Sequence, residues 1–163
     1  MRIVVPDLGL SNLWSVRRAL EALGHEVVAT GEAGPVASAR FIVLPGVGAF
    51  GEAARRLERT GIGRAIHGAA DRGASVLGIC LGMQLLFESS EEGGASPGLA
   101  LLPGCVTRLS GAARVPHVGW NCVESTPKGA RLFGNGGASR YLYFVHSFVA
   151  RPASDEFVLP FDP

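Results

Sequence analysis

The sequence predicts an α/β fold in which a mostly parallel sheet is flanked by helices. Three observations support this prediction. In the first half of the chain, apolar strand-like segments alternate with helix-like segments, which is the order of a parallel sheet. A cysteine between two glycines lies where one strand-like segment meets a helix-like one. After residue 99 the helical periodicity fades, and short apolar runs separated by Gly, Pro and Asn predict a small region of antiparallel strands.

The N-terminal segments predict a strand–helix–strand unit. Residues 2–7 and 26–30 predict two strands of the parallel sheet. Between them, apolar residues recur at helical spacing from Leu13 to Leu23. We expect this helix to stop at Gly24, because glycine is favoured just beyond helix C-termini.

The middle of the chain predicts two further strands and two helices on the surface of the sheet. Residues 40–44 and 74–79 are the predicted strands, and residues 52–60 and 62–72 are the predicted helices. The intervening residues 31–39 are rich in Gly, Ala and Pro, and they predict a loosely ordered loop.

The segments that follow the cysteine predict a buried helix and then a change of architecture. Residues 82–88 predict the largely buried helix. Residues 88–98 predict a polar loop whose carboxylates face solvent, with Glu88 at the helix end as an alternative pocket residue. The predicted antiparallel strands include residues 106–109, 118–123 and 141–149.

Composition limits the function classes. The 163 residues are expected to form one domain, spanning residues 1–163. With 15 basic and 14 acidic residues the net charge is +1, which predicts neither nucleic-acid nor membrane binding. No segment predicts a signal peptide or a membrane span, so a cytoplasmic location is expected. The three cysteines are odd in number and widely spaced, so we expect no disulfide framework, no metal site and no cofactor.

Cys80 is the candidate nucleophile. It lies between Gly78 and Gly82, which is the thiol version of the Gly-x-Ser-x-Gly nucleophile elbow. The helix that starts there would direct free N–H groups and its positive end at the sulfur, which favours the thiolate. The Leu81 amide would then donate to an oxyanion formed beside Cys80. The alternative is a buried structural cysteine, a common environment for this residue type.

A second glycine-rich turn follows the strand that is predicted to end at Leu44. Residues 45–51 read Pro-Gly-Val-Gly-Ala-Phe-Gly, and alternating glycines permit unusual backbone angles and close approach of a ligand. A phosphate-binding loop is one interpretation, although neither Gly-Lys-Ser/Thr nor the full Gly-x-Gly-x-x-Gly spacing follows. The other is a loop that presents backbone N–H groups to an oxyanion opposite Cys80.

Two stretches in the second half combine aromatic and polar residues. Residues 116–121 read Pro-His-Val-Gly-Trp-Asn, and residues 143–148 read Tyr-Phe-Val-His-Ser-Phe. Each is open to two interpretations, a functional site or a core segment with satisfied polar groups.

Together these motifs resemble the glutaminase subunits of imidazole glycerol phosphate synthase, which are class I glutamine amidotransferases. The similar motifs are residues 44–50, 78–84, 88–93, 116–121 and 143–147. The last two set this subunit apart from other class I amidotransferases, and the likeness extends from the first strand to about Phe148.

The resemblance implies a flavodoxin-like, class I amidotransferase fold and hydrolysis of glutamine to glutamate and ammonia. The ammonia would pass to a (β/α)8-barrel cyclase subunit, the partner in a heterodimer. That partner makes imidazole glycerol phosphate and an aminoimidazole carboxamide ribotide in histidine biosynthesis. Cys80 would be the nucleophile that forms a glutamyl thioester.

The resemblance also implies roles for eleven further residues. Leu81 and Val47 would supply the oxyanion-hole amides. Glutamine would be held by Gly46, Gly48, Gln84, His146, Ser147 and Phe148. Asn12, Trp120 and Asn121 would lie toward the cyclase.

The sequence departs from the family pattern in two places. Residues 7–12 read Asp-Leu-Gly-Leu-Ser-Asn, where the family usually has Asp-Tyr-Gly-x-Gly-Asn. The family's C-terminal strands, last helix and His-Pro-Glu motif, which completes the catalytic triad, are absent from residues 1–163. Residues 156–163 occupy the place where a family strand would begin.

Three functional hypotheses follow from the sequence. The first is a glutaminase subunit, and the second is a non-catalytic domain that docks on the cyclase or binds glutamine without hydrolysing it. The third is a stand-alone cysteine hydrolase or redox-sensing thiol protein. The stretches at residues 116–121 and 143–148 count against the third, because a generic nucleophile elbow needs neither.

Overall fold

The computed structural model describes residues 1–111, 114–123 and 140–154. Within these ranges the chain forms ten strands and five helices. They are β1 (Arg2–Pro6), α1 (Leu13–Ala22), β2 (Glu26–Thr30), α2 (Ala33–Ala37), β3 (Phe41–Gly46), α3 (Phe50–Thr60), α4 (Ile62–Asp71), β4 (Ser75–Cys80), α5 (Leu81–Gln84), β5 (Phe87–Ser90), β6 (Ser96–Pro97), β7 (Leu102–Arg108), β8 (His117–Val123), β9 (Arg140–His146) and β10 (Phe148–Pro152). None of the described helices is long and apolar enough to cross a membrane.

The first sheet carries the candidate nucleophile. Its four strands have the order β2-β1-β3-β4 and all run parallel. Successive side chains alternate between the two faces of a strand, so a buried parallel sheet needs apolar residues at nearly every position. In β3, the Ile42 and Leu44 side chains face one core and Val43 faces the other. The sheet is therefore doubly wound, as the sequence predicts.

Helices cover both faces of this sheet. On one face, α3 and α4 contribute Phe50, Leu57 and Ile66 to the larger core. On the other face, partly buried apolar residues of α1 pack against Ile3 and Val5. The helices predicted at residues 13–23, 52–60 and 62–72 are confirmed, because their apolar spacing matches the faces that they bury.

The remaining strands form two smaller sheets. The second sheet has the order β10-β7-β5-β6; β5 and β7 pair in parallel, and the other pairs are antiparallel. Strands β8 and β9 form a separate antiparallel pair. The predicted antiparallel region is thus confirmed, with one parallel pairing added by β5.

The structure corrects two predicted elements near the site. The predicted helix at residues 82–88 is wrong, because α5 has four residues and the chain enters β5 at Phe87. Leu86 explains the change, because its carbonyl accepts the backbone N–H groups of Leu101 and Leu102 instead of continuing the helix. The predicted loop at residues 31–39 instead contains α2, whose Val36 side chain is completely buried.

Residues 88–98 also differ from the predicted polar loop, because the segment contributes strands β5 and β6. The two strands pair with each other, and β5 pairs with β7 on its other side. Ser90 on β5 is almost completely buried. The family strand expected at residues 156–163 lies outside the described residues.

Candidate active site

Cys80 lies at a strained turn between β4 and α5. Its backbone has φ 55° and ψ −119°, a conformation that non-glycine residues rarely adopt, and its side chain is exposed. A Cβ atom at Gly82 would overlap the Leu44 carbonyl group, and one at Gly78 would lie 2.6 Å from the Met83 nitrogen. Only glycine fits at either position, so the sequence on both sides of Cys80 is dictated by the turn.

The helix after Cys80 is shorter than the sequence predicts. Because α5 spans only Leu81–Gln84, a single helical turn presents N–H groups near the sulfur, and the dipole of a long helix is missing. Cys80 is the residue that precedes the helix, so the Leu81 amide belongs to its first, unpaired N–H groups.

The glycine-rich loop after β3 lies next to the nucleophile. In the β3–β4 pairing, Gly46 is directly opposite Cys80. A Cβ atom on Gly46 would lie 3.1 Å from the Gly82 nitrogen and 3.1 Å from the Leu81 Cβ atom. Gly48 has a φ of +96°, which favours glycine. The predicted oxyanion loop and the predicted nucleophile are therefore brought together by neighbouring parallel strands.

The Val47 amide already has a hydrogen-bond acceptor. Its N–H donates to the Leu10 carbonyl over 2.8 Å. Leu10 belongs to the loop between β1 and α1, and that loop is itself held by Arg56, which donates to the Leu8 carbonyl over 2.7 Å. The Val47 N–H can serve an oxyanion only after its bond to Leu10 breaks, so its predicted role stays a prediction.

Glu92 is a site residue that the sequence analysis missed. Its carboxylate accepts the Phe50 N–H over 2.8 Å, at the point where the glycine-rich loop enters α3. Ala49, the residue before this helix, has no side chain that can cap it. The absence of a local cap was the available signal, because an uncapped helix N-terminus attracts a carboxylate from elsewhere.

The neighbouring carboxylates of Glu88 and Glu91 are exposed, as the sequence predicts, and each also accepts a backbone hydrogen bond. Glu88 accepts the Gly104 N–H over 2.8 Å, and Glu91 accepts the Arg108 N–H. Both carboxylates thus tie the β5–β6 segment to β7. They are surface carboxylates that also act as structural acceptors.

Two of the residues predicted to bind glutamine, Gln84 on α5 and His146 on β9, meet at Phe148. The Gln84 side-chain amide donates to the Phe148 carbonyl over 3.1 Å, and the His146 ring nitrogen Nδ1 lies 3.0 Å from the same oxygen. Ser147 forms the bend between β9 and β10, and its carbonyl accepts the Leu109 N–H. Gln84 lies four residues after Cys80, so these contacts link the nucleophile turn to the second sheet.

The β8–β9 pair has one exposed apolar face and an opposite face that mixes polar and apolar residues. Trp120 and Tyr143 pair across the strands on the exposed face, with ring centroids 5.6 Å apart. Asn121 lies on the opposite face, where its Oδ1 atom is 2.8 Å from the His117 Nε2 atom. Of the two β8 residues predicted to lie toward a partner, only Trp120 is on the exposed face; the partner-facing role of Asn121 stays a prediction.

Asn12 has a local structural role in addition to the one predicted. Its side chain accepts the Ser15 N–H over 3.2 Å and caps α1. The side chain is exposed, as is that of Trp14 in the next turn.

The structure provides Cys80 with no histidine partner among the described hydrogen bonds. His117 is bonded to Asn121 and His146 to the Phe148 carbonyl. Neither bond involves the thiol, so the described contacts assign no general base to the site.

A protein-family model described as "Glutamine amidotransferase class-I" matches residues 4–161. The imidazole glycerol phosphate synthase subunit HisH of Moorella thermoacetica is 47% identical over 156 residues, covering 96% of this chain and 74% of that protein. The HisH subunit of Symbiobacterium thermophilum is 46% identical, covering 91% and 69%. That of Chlorobaculum tepidum is 43% identical, covering 96% and 78%.

Solved structures show the same fold at lower identity. A glutamine amidotransferase crystal structure superposes with a TM-score of 0.74 at 19% identity, covering 94% of this chain and 75% of that one. The PurLQS structure from Thermotoga maritima gives a TM-score of 0.72 at 24% identity, covering 94% and 70%. Both likenesses confirm the predicted fold class.

Proposed function

This chain belongs to the class I glutamine amidotransferases, among the HisH subunits of imidazole glycerol phosphate synthase, and we propose that it releases ammonia from glutamine for that synthase in histidine biosynthesis. One observation carries the chemistry. An exposed cysteine on a strained turn lies directly opposite the start of a glycine-rich loop in the neighbouring strand.

The proposed reaction begins at Cys80. Its thiolate attacks the side-chain amide carbon of glutamine, and the carbonyl oxygen becomes an oxyanion near the Leu81 amide. Collapse of this intermediate expels ammonia and leaves a glutamyl thioester, which water hydrolyses to glutamate. The departing nitrogen needs a proton, so a general acid must act in addition to the contacts described around Cys80.

The Val47–Leu10 hydrogen bond limits the resting activity. While the Val47 N–H donates to Leu10, one of the two proposed donors cannot serve the oxyanion. Loss of one such donor typically lowers kcat by about 100- to 1000-fold. We therefore expect slow basal hydrolysis, and faster hydrolysis whenever Val47 is released.

The exposed face of β8–β9 is the proposed docking surface for the cyclase subunit. Trp120 and Tyr143 are both more than half exposed, and Val118 and Val145 extend the same face. Buried aromatic residues contribute strongly to protein–protein binding, and an apolar face of this kind needs a partner. The barrel architecture of that partner and the cytoplasmic location of the complex remain predictions from the sequence.

Glutamate and ammonia formation from glutamine tests the proposal. We expect turnover by the purified chain to rise when a cyclase subunit is added, and to disappear in the Cys80→Ala variant. Cys105→Ala is the matched control, because Cys105 is a second free cysteine, on β7. Turnover that survives Cys80→Ala would contradict the proposal. Cyclase binding without any turnover would indicate a docking domain instead.

A further inference from the structure

The bend at Ser147 is held by a shared hydrogen-bond acceptor. The Phe148 carbonyl receives the Gln84 side-chain amide at 3.1 Å and lies 3.0 Å from the His146 Nδ1 atom. The first contact comes from α5, directly after the nucleophile, and the second comes from the end of β9. One carbonyl oxygen therefore connects the two segments that are proposed to hold glutamine.

The contact at Phe148 fixes the protonation site of His146. A backbone carbonyl oxygen can only accept, so the Nδ1 atom must carry the hydrogen. The Nε2 atom is then a free acceptor in the neutral ring. The hydrogen bond spans only two residues, so it constrains the backbone of Ser147 and Phe148 directly.

The His117 ring supports the His146 ring from the neighbouring strand. The two residues are direct partners in the β8–β9 pairing, and their rings meet edge to face with centroids 5.4 Å apart. The His117 Nε2 atom is in turn held by Asn121. The orientation of His146 is thus set by packing as well as by its own hydrogen bond.

We propose that His146 is a positioning residue for glutamine, acting through its Nδ1–H bond to the Phe148 carbonyl rather than by contacting the reacting atoms. The bond holds the shape of the Ser147 bend, and the Gln84 bond to the same carbonyl ties that bend to the helix that follows Cys80. This inference rests on the proposed function, because it assigns a role within the same glutamine site.

Two substitutions separate the effect of the hydrogen bond from the effect of the bulk of the ring. In His146→Asn the side-chain amide nitrogen takes the place of Nδ1 and keeps the donor. His146→Leu keeps the bulk and removes the donor. The matched control is His67→Leu, which removes a histidine from α4, outside this cluster.

The probe is a chloroketone analogue of glutamine, which alkylates a thiol only after binding as glutamine does. Its labelling rate at Cys80 is compared with that of iodoacetamide, which needs only a reactive thiol. We expect His146→Leu to lower the analogue's rate by about three- to ten-fold, the effect of one hydrogen bond, with the iodoacetamide rate unchanged. His146→Asn and His67→Leu should both retain the wild-type ratio of the two rates.

The outcomes distinguish this inference from the proposed function. If the analogue labels wild-type Cys80 no faster than iodoacetamide does, the glutamine site itself is refuted. If the analogue labels wild type selectively and His146→Leu equally well, the positioning role is wrong and the site stands. An equal loss of the analogue's labelling rate in His146→Leu and His146→Asn would also overturn the positioning role, since His146→Asn keeps the donor.

An NMR measurement on the unmodified chain provides a second test. We expect the nitrogen chemical shifts of His146 to show a hydrogen on Nδ1 and none on Nε2 in the neutral ring. The opposite tautomer would rule out the bond to Phe148, whatever the labelling rates.

Discussion

At the scale of single residues, the site depends on two glycines that leave room for one cysteine. Cys80 has a positive φ, and the backbone atoms of Leu44 and Met83 occupy the space where side chains at positions 82 and 78 would lie. Strain of this kind typically costs about 1–3 kcal/mol and persists only where the surrounding structure enforces it. Here the core around Leu81 and Leu85 enforces it, because both side chains are buried.

Gly82→Ala should destabilise the fold severely. The new methyl group would overlap the backbone carbonyl of Leu44, which cannot move without disturbing β3. We expect the free energy of unfolding to fall by about 3 kcal/mol or more, measured by urea denaturation. Gly119→Ala is the matched control, since a Cβ atom there meets nothing within 4 Å. Equal stability of the two variants would contradict the packing argument.

The sequence predicts the residues of the turn better than it predicts their partners. Cys80, Gly78 and Gly82 are recognisable because their spacing has one steric explanation. Glu92 was missed, because its acceptor role depends on Phe50, forty-two residues away in the chain. The engagement of Val47 by Leu10 is likewise a tertiary contact with no local signature.

At the scale of elements, the β1–α1 loop and helix α3 restrain the glycine-rich loop that is proposed to supply an oxyanion donor. Leu10 accepts the Val47 N–H, and Arg56 on α3 donates to Leu8 in the same β1–α1 loop. Glu52 accepts from the Arg56 Nε atom over 2.8 Å and holds its side chain in place. Successive hydrogen bonds therefore link Glu52 through Arg56 to the β1–α1 loop, whose Leu10 carbonyl accepts the Val47 N–H.

Arg56→Met should weaken the hydrogen bond between the Val47 N–H and the Leu10 carbonyl. Without the donor to the Leu8 carbonyl, the β1–α1 loop is less restrained, and the Val47–Leu10 bond opens more often. We expect faster hydrogen exchange at the Val47 amide, measured by NMR. Arg55→Met is the matched control, because Arg55 also pairs with Glu52, over 3.0 Å, and forms no described bond to the β1–α1 loop. Unchanged exchange in Arg56→Met would refute the link.

The same contacts predict a pH dependence. Hydrogen bonds from Arg56, and secondarily from Arg55, lower the pKa of Glu52 from its usual value of 4.5. A carboxyl group with a lowered pKa in the folded state stabilises the fold above its unfolded value, and this stabilisation is lost as the pH falls through the folded pKa.

Glu52→Gln should therefore reduce the loss of stability below pH 4.5, measured as the free energy of unfolding against pH. Glu58→Gln on the same helix is the matched control. The idea fails if wild type and Glu52→Gln lose stability in parallel over this range.

The elements themselves follow from the sequence where one face is buried against the sheet. Helices α1, α3 and α4 show this periodicity and were predicted with small boundary errors. The segment after Gln84 was not predicted correctly, because a short apolar run is equally compatible with a helix or a strand. Pairing of β5 with β7 decides between them, and that pairing lies outside the local sequence.

At the scale of the whole molecule, the proposed glutamine site lies where two sheets share one core. Buried Phe50 and Leu81 belong to the same apolar cluster as Val106 on β7, and Phe148 packs against that cluster. That residues 1–163 form a single domain stays a prediction. The exposed β8–β9 face lies on the other side of the strand pair from His117 and His146, so the proposed docking and glutamine-binding roles use opposite faces of one element.

Trp120→Ala should weaken cyclase binding. Truncating a central aromatic residue at an interface commonly costs about 2 kcal/mol or more, which corresponds to a roughly 30-fold higher Kd. The comparison variant is Leu23→Ala, which removes a similarly exposed apolar side chain at the end of α1. Titration of each variant with the cyclase subunit measures both constants. An unchanged Kd for Trp120→Ala would place the interface elsewhere.

The most direct test of the central claim follows the amide nitrogen of glutamine through the assembled synthase. The complex of this chain with a cyclase subunit is supplied with glutamine carrying heavy nitrogen in its side-chain amide, and the label in imidazole glycerol phosphate is measured by mass spectrometry. We predict labelled product with wild type and none with Cys80→Ala, which should still form product from added ammonium. Product that forms only from added ammonium in both proteins would show that this chain does not deliver glutamine nitrogen.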